Sequence, residues 1–404
     1  VKRKVARPEI AVIGGGILGV TAALLAAERD WRVRLFEAEP ALWSKASAAG
    51  EGKVHLGPIF VLGDEATRRL MLEGALNFAA VLERAAGTPL PWNELATESF
   101  EYLVMPDSLL DPDELSSRYR ALNDLISPHP QMSYLGERLS RIVDPVKKRD
   151  ARSGLPCFRT HERSVEPNAL GLLLTGRLRA APEIRVSTGI RIDQVIDRKT
   201  GGADLVWRDP NGHPNREGFD AVVNSAWDQQ QVLLPERARR RYNFRVKCAV
   251  RLPRTAAPPT NVTLVQGPYG DIVTHRDYIY ASWYPAARLT NEYGATPSEH
   301  ARKLLRELPG RTDLIAAQLG PLRALGLLPA GLLEAAAARG QLVGGVIVGH
   351  GEIDIHLLSS SLHSRAEFGP ERHGAMVVAR NFKLTTAPLA AQLAIEEIAR
   401  GLGR

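Results

Sequence analysis

Three glycines near the start of the chain, Gly14, Gly16 and Gly19, have the spacing at which a backbone can close on phosphate. They stand in IAVIGGGILGVTAALLAAE, residues 10–28, and each has a separate task. Gly14 permits a tight turn, Gly16 lets the backbone approach a diphosphate, and Gly19 lets a helix pack closely on the strand before it. N–H groups at the helix start, around Ile17 and Leu18, then face the anion. Glu37 completes the pattern 23 residues beyond Gly14, at the end of WRVRLF and just before Ala38. A carboxylate there accepts from the ribose hydroxyls of a dinucleotide and repels a 2′-phosphate, which favours NAD or FAD over NADP.

A second set of groups suits a small polar substrate. In GPYGDIVTHRDYIYASWYP, residues 267–285, a strand would put Tyr278, Tyr280 and Ser282 on one face and Ile279, Ala281 and Trp283 on the other. Tyrosine hydroxyls beside Arg276 match a carboxylate; the alternative is ordinary sheet packing with Arg276 in water. Lys53 and His55 in EGKVHLG follow a glycine-containing loop closely enough to reach the same place. HLLSSSLHSRAEFG adds His356, His363 and Arg365. No histidine triplet has metal-ligand spacing, so no metal is expected.

The elements that must position these groups follow from periodicity. Glu9–Ile13 and Arg32–Phe36 read as buried strands flanking a helix over 20–28. Residues 66–86 form an amphipathic helix, and DPDELSSRYRAL opens another with an acidic first turn. Residues 127–152 are polar and proline-containing, an excursion and linker. A helix over 169–180 and strands over 183–186 and 190–196 precede FDAVVNSAW, which returns to the first sheet. Strands over 246–252, 261–266, 271–275 and 278–283 read as an antiparallel sheet. Helical stretches over 297–308 and 311–337 follow, and 341–350 reads as a strand returning to the first sheet.

At 404 residues, 44% hydrophobic and 24% charged, the chain is long enough for two domains. No segment is long and apolar enough to span a bilayer; VKRKVAR resembles the basic start of a signal peptide, but no ordered cleavage region follows. A cytoplasmic location is expected. Cys157 and Cys248 form neither a disulfide scaffold nor a zinc set. The net charge of +7 comes from scattered arginines without a nucleic-acid-binding motif, so no nucleic-acid partner is expected.

Four segments together resemble the FAD-dependent amine and amino-acid oxidase family, the group with D-amino-acid oxidase, glycine oxidase and sarcosine oxidase. They are IAVIGGGILGV with LFEAE, LWSKASAAGEGKVHLG, SVEPNALGLLLTGRLRAAPEIRVSTGIRIDQVI, and HGAMVVARNFKLTTAPLAAQLAIEEIA. The resemblance implies an α/β fold: a Rossmann-like FAD-binding domain, discontinuous over 1–90, 155–235 and 341–404, and an antiparallel-sheet substrate domain over 91–154 and 236–340. It implies that Ser44, Lys45 and Ser47 follow the FAD pyrophosphate and ring edge, that Ile190 meets the adenine, and that Gly374, Lys383, Leu384 and Thr385 lie near the flavin's pyrimidine end. It also implies an arginine clamp on a substrate carboxylate, with Arg365 ahead of Arg276, and makes Lys53 and His55 neighbours of the ring. There they tune its charge or reach substrate, and His55 is a candidate attachment point. Phe382 and Trp227 depart from the family pattern, which has glycine or small residues there.

The expected reaction is oxidation of the C–N bond of a small amine or amino acid, with molecular oxygen or another electron acceptor as the second partner. Oxidation of a hydroxy-acid or polyol-phosphate C–O bond is the alternative, as is a flavoprotein with altered or lost chemistry. A NAD-dependent dehydrogenase ranks below both, because the NFKLTTAP segment has no role in it.

Overall fold

The computed structural model describes residues 7–126, 133–209, 211–329, 331–365 and 367–403. The basic stretch 1–6 and the start of the expected linker, 127–132, lie outside the described residues.

Two sheets dominate. The first has six strands, ordered Ile184–Ser187, Arg32–Phe36, Glu9–Ile13, Ala221–Asn224, Met376–Arg380 and Gly369–His373. All neighbours are parallel except the last pair, a hairpin. Glu9–Ile13 is central and almost wholly buried, as its unbroken Ile/Val run requires of a strand covered on both faces. The Ile17–Glu28 helix is buried over its first ten residues, which explains why its sequence is apolar all round rather than amphipathic. Burying Leu24 and Leu25 contributes about 1.5–3 kcal/mol each. The helix packs against Ala387–Gly401 and Glu65–Ala86.

The second sheet has nine strands drawn from 101–104, 148–159, 242–294 and 341–349. Its long member, Tyr242–Pro253, carries Gln341–Gly349 along one edge from Asn243–Gly349 to Arg251–Gln341. Alternation along Tyr278–Trp283 divides two cores. Tyr278 and Tyr280 join the core shared with the first sheet, while Ile279, Ala281 and Trp283 pack with Leu319 and Leu322 of the Asp313–Ala324 helix. Tyr278 and Tyr280 thus share one face, as the alternation predicts.

Three expectations change. Residues 341–349 do not rejoin the first sheet; their partner is Tyr242–Pro253. Pro156–Arg159 likewise pairs with Glu101–Val104 in the nine-stranded sheet. The pattern along a single strand marks it as a strand but does not name its partner. The helix expected over 311–337 is two, Asp313–Ala324 and Leu332–Arg339, because Gly326 takes a left-handed φ of 71° and Pro329 follows.

Candidate functional site

A cavity of about 310 Å³ opens at the carboxyl ends of the parallel strands. Its wall takes the residues that directly follow them: Gly14–Gly16 after the first strand, Glu37 and Ala38 after the second, Ser225–Gln230 after Ala221–Asn224, and Asn381–Leu384 after Met376–Arg380. Open parallel sheets place ligands there, at the point where the strand order reverses on either side of the first strand. The opposite wall includes Val346 and Ile347 of the nine-stranded sheet.

At one end the wall is backbone. Glu37 accepts from Gly15 N at 2.6 Å and from Glu39 N at 2.7 Å, which fixes its carboxylate beneath the turn. A Cβ on Gly15 would lie 2.4 Å from Leu42, and one on Gly16 would lie 2.9 Å from Ser47 Oγ. Gly16 also offers no side-chain cap to the helix it begins; Ser47 Oγ instead accepts from Ile17 N at 3.0 Å. Ile190 donates its N–H to the Glu37 carbonyl at 2.9 Å and lines the same end. A narrow cradle at a helix N-terminus, beside an acid, fits the diphosphate and ribose of a dinucleotide.

At the other end the wall is charged. Lys383 lines it half-buried, its Nζ 5.6 Å from the Phe60 ring centroid. Burial first, and then the neighbouring Arg365, push its ammonium down to about 7. No carboxylate among the described residues lies within 4.0 Å of it. Lys53 bonds Asp271 at 2.5 Å and Thr263 Oγ1 at 2.5 Å. Burial alone would raise Asp271, but Lys53 and Lys247 outweigh it and hold the carboxyl at about 2. His55 Nδ1 stands 3.3 Å from the fully buried Glu162, which also takes Leu56 N at 2.8 Å and the Tyr102 hydroxyl. Burial lowers the His55 imidazole despite that carboxylate. Tyr280, an expected site residue, does not line the cavity: it is buried behind this wall, and its hydroxyl has no hydrogen-bond partner among the described residues.

Gly14, Gly16, Ile17, Leu18, Glu37, Ala38, Ser44, Lys45, Ser47, Ile190, Lys383, Leu384, Lys53 and His55 all line this one cavity. Other expected site residues do not. Gly19 stands behind the turn, where a Cβ would come within 1.8 Å of Gly14 O. Thr385 is buried and accepts from His55 N at 2.8 Å, fixing the Lys53–His55 segment. Gly374 is at the opposite end of the sheet, in the hairpin turn before Met376–Arg380; its φ of 60° there explains the glycine. Arg276 is solvent-exposed and stands 3.4 Å from Glu94, because it falls in the turn after the strand rather than on its inward face. Tyr278 donates to Glu166, the N-cap of the Pro167–Ala180 helix, at 3.0 Å and does not line the cavity. Arg365 is buried but stands beyond Phe60, 5.4 Å from its centroid, and donates to the carbonyls of Leu362 and Ser364.

Among lining residues not foreseen are Glu51, Asp228, Gln229 and Gln230. The last three stand in the helical turn Trp227–Leu233, a few residues beyond the core strand Ala221–Asn224, a position that marks the cavity edge. Trp227 and Phe382, the two departures, both line the wall. Trp227 holds a left-handed φ of 49° and donates its indole N–H to Val346 O at 2.8 Å; Phe382 packs its ring 4.6 Å from His350. Among the described residues, no group of three His, Cys, Asp or Glu side chains can hold a metal, and no helix is long and apolar enough to cross a membrane.

Comparison with known proteins agrees with this geometry. The family model DAO, described as FAD dependent oxidoreductase, matches residues 9–311. Similar solved structures include glycine oxidase from Geobacillus kaustophilus, 15% identical over 98% of this chain and 95% of that one, with a TM-score of 0.61. L-amino acid deaminase from Proteus vulgaris is 13% identical over 98% and 94%, at 0.62. Iminodiacetate oxidase from Chelativorans sp. BNC1 is 13% identical over 98% and 95%, at 0.63. No curated protein sequence matches the chain. With its glycine turn, Glu37 and Rossmann-like sheet in register over a match of that length, the chain belongs to the DAO family of FAD-dependent oxidoreductases.

Proposed function

We propose that the protein oxidises the C–N bond of a small, carboxylate-bearing amine or amino acid. The observation that carries this reading is Lys383: a lysine at the buried end of the cavity with no acidic partner among the described residues. A half-buried cation with no carboxylate in contact is open to an anion, and a substrate carboxylate is the anion the reaction would bring. The relatives named for glycine, L-amino acids and iminodiacetate support the same class.

In this reading Gly14, Gly16 and the N–H groups of Ile17 and Leu18 hold the FAD diphosphate, with Ser44, Lys45 and Ser47 alongside. Glu37 and Ala38 take the adenosine ribose, and Ile190 the adenine. Leu384 borders the ring's pyrimidine end, supported from behind by Thr385. FAD supplies the two-electron acceptor for a hydride leaving the amine-bearing carbon. Lys383 orients the substrate by its carboxylate, Trp227 and Phe382 narrow the space and exclude water, and His55 stays neutral beside Glu162. Molecular oxygen or another acceptor removes the electrons. The division into a nucleotide-binding and a substrate-binding domain belongs to this reading, supported by the two sheets and the cavity between them. So does a cytoplasmic location, supported by two free, buried cysteines.

Incubating the protein aerobically with a panel of amino acids and simple amines, and assaying ammonia or amine release with the matching oxo product, tests the reading. Release from at least one carboxylate-bearing member is expected. Turnover of 2-hydroxy acids or polyol phosphates alone would assign it to C–O oxidation instead.

A further inference from the structure

One charged group beside Lys383 has no role in the chemistry above. Glu51 lines the cavity between Gly50 and Gly52, half-buried. Its carboxylate accepts no hydrogen bond and has no cation within 4.0 Å among the described residues. Lys53 and Lys383 line the same wall, and Lys247 and Asp271 are close enough to act on it through their charges. The Tyr280 hydroxyl, itself without a partner, lies in the field of the same carboxylate, and the His275 ring lies against the Glu51 backbone. Asp271 is occupied by Lys53 and Thr263. Glu51 is therefore the acid at this end whose oxygens are still available.

Resting on the C–N reading, we propose that Glu51 holds the substrate's ammonium group and so makes the site select amines over hydroxy acids. A lysine can only donate, so none of the three lysines can take an ammonium; a carboxylate can only accept, which is what an ammonium with three donors needs. Burial alone would raise Glu51, but Lys247, with Lys53 and Lys383, outweighs burial and Asp271 and keeps it ionised. An ionised acceptor bonds a charged donor about twice as strongly as a neutral hydroxyl. With Lys383 on the carboxylate, the wall presents opposite signs to the two ends of a zwitterion. Oxidation of the adjacent carbon needs the nitrogen lone pair, so the held ammonium must first lose a proton, and Glu51 makes that harder. Removing its charge should weaken substrate binding yet move the rise of kcat to lower pH. The other titratable groups facing Glu51 are Lys53, Lys247, Asp271, Lys383, Tyr280 and His275, all intact in the variant.

The test compares wild type, Glu51→Gln, Glu51→Asp and the surface control Glu94→Gln, each loaded with FAD. The probes are glycine, N-methylglycine and both enantiomers of alanine, aspartate and phenylalanine, each paired with its 2-hydroxy acid. Binding is read from the anaerobic perturbation of flavin absorbance, and kcat is followed against pH. Glu51→Gln should weaken the best amine roughly 10–100-fold, while the paired hydroxy acid changes less than about threefold. Its kcat should rise at a pH about one unit lower. Glu51→Asp keeps the charge and should keep the wild-type pH midpoint, which preserves the test should Glu51→Gln fail to fold. Equal weakening of amine and hydroxy acid, unchanged amine affinity, or an unmoved pH midpoint in Glu51→Gln would overturn the role of Glu51 alone. A wild type whose flavin no amine reduces overturns the C–N reading with it.

Discussion

At the glycine turn the cavity wall is made of backbone, and at Lys383 it is made of long charged side chains. The first end is built within residues 13–47 plus Ile190, and its fit depends on Cβ atoms that are absent. The second is lined by Glu51, Lys53 and Lys383, with Lys247, Asp271 and Tyr280 close behind them, all drawn from five separate stretches of chain. A backbone wall recognises a constant ligand, because peptide N–H groups vary little with sequence. A wall of side chains recognises a variable one, since each group can be exchanged. On the proposed reading, one continuous cavity therefore reads cofactor and substrate by different means.

Breaking the charged end should cost the most. Asp271→Asn leaves the Lys53 ammonium buried without its counterion and should destabilise the fold by about 3–5 kcal/mol, measurable by urea unfolding. The pH dependence has a definite sign. The folded value of about 2 lies below the ordinary 3.8, so Asp271 contributes its full stability above about pH 4 and loses it as the pH falls towards 2. The variant should lack that acid limb.

Breaking the backbone end comes next. Gly19→Ala drives a Cβ into Gly14 O, which should cost about 2–3 kcal/mol and leave the purified protein with little FAD. The flavin content per chain measures this directly. A variant that retained full flavin would show the turn to be looser than the packing requires.

Lys383→Met sharpens the distinction between the ends. FAD affinity should stay within a few fold, while the KM for a carboxylate-bearing amine should rise about 10–100-fold. In wild type that KM should climb as the pH passes about 7, where Lys383 loses its proton, and the variant should not show the climb. Arg276→Ala is the smallest effect expected. The side chain is exposed beside Glu94, so KM and kcat should remain within about twofold.

Much of the backbone end was legible in the sequence because its cause is local. The glycine spacing, the Ile/Val strands and Glu37 lie within 29 residues, and Glu9–Ile13, Arg32–Phe36 and Tyr278–Trp283 have the boundaries that periodicity assigns. The charged end was only partly legible. Lys53, His55 and Lys383 were singled out, but whether Arg276 or Arg365 reaches the cavity depends on strand pairing and on the placement of Phe60. Glu51 gave no local signal, because its meaning comes from Lys247 and Asp271 on strands some two hundred residues away. Gly374 was misplaced for a related reason: a glycine beside the last strand serves either its hairpin or the cavity, and only sheet direction decides which.

The most direct measurement is anaerobic titration of the purified, yellow protein with paired amines and 2-hydroxy acids while flavin absorbance is recorded. Bleaching by a carboxylate-bearing amine is expected, and none by its hydroxy counterpart. Bleaching by the hydroxy acid alone, or a protein that retains no flavin, would contradict it.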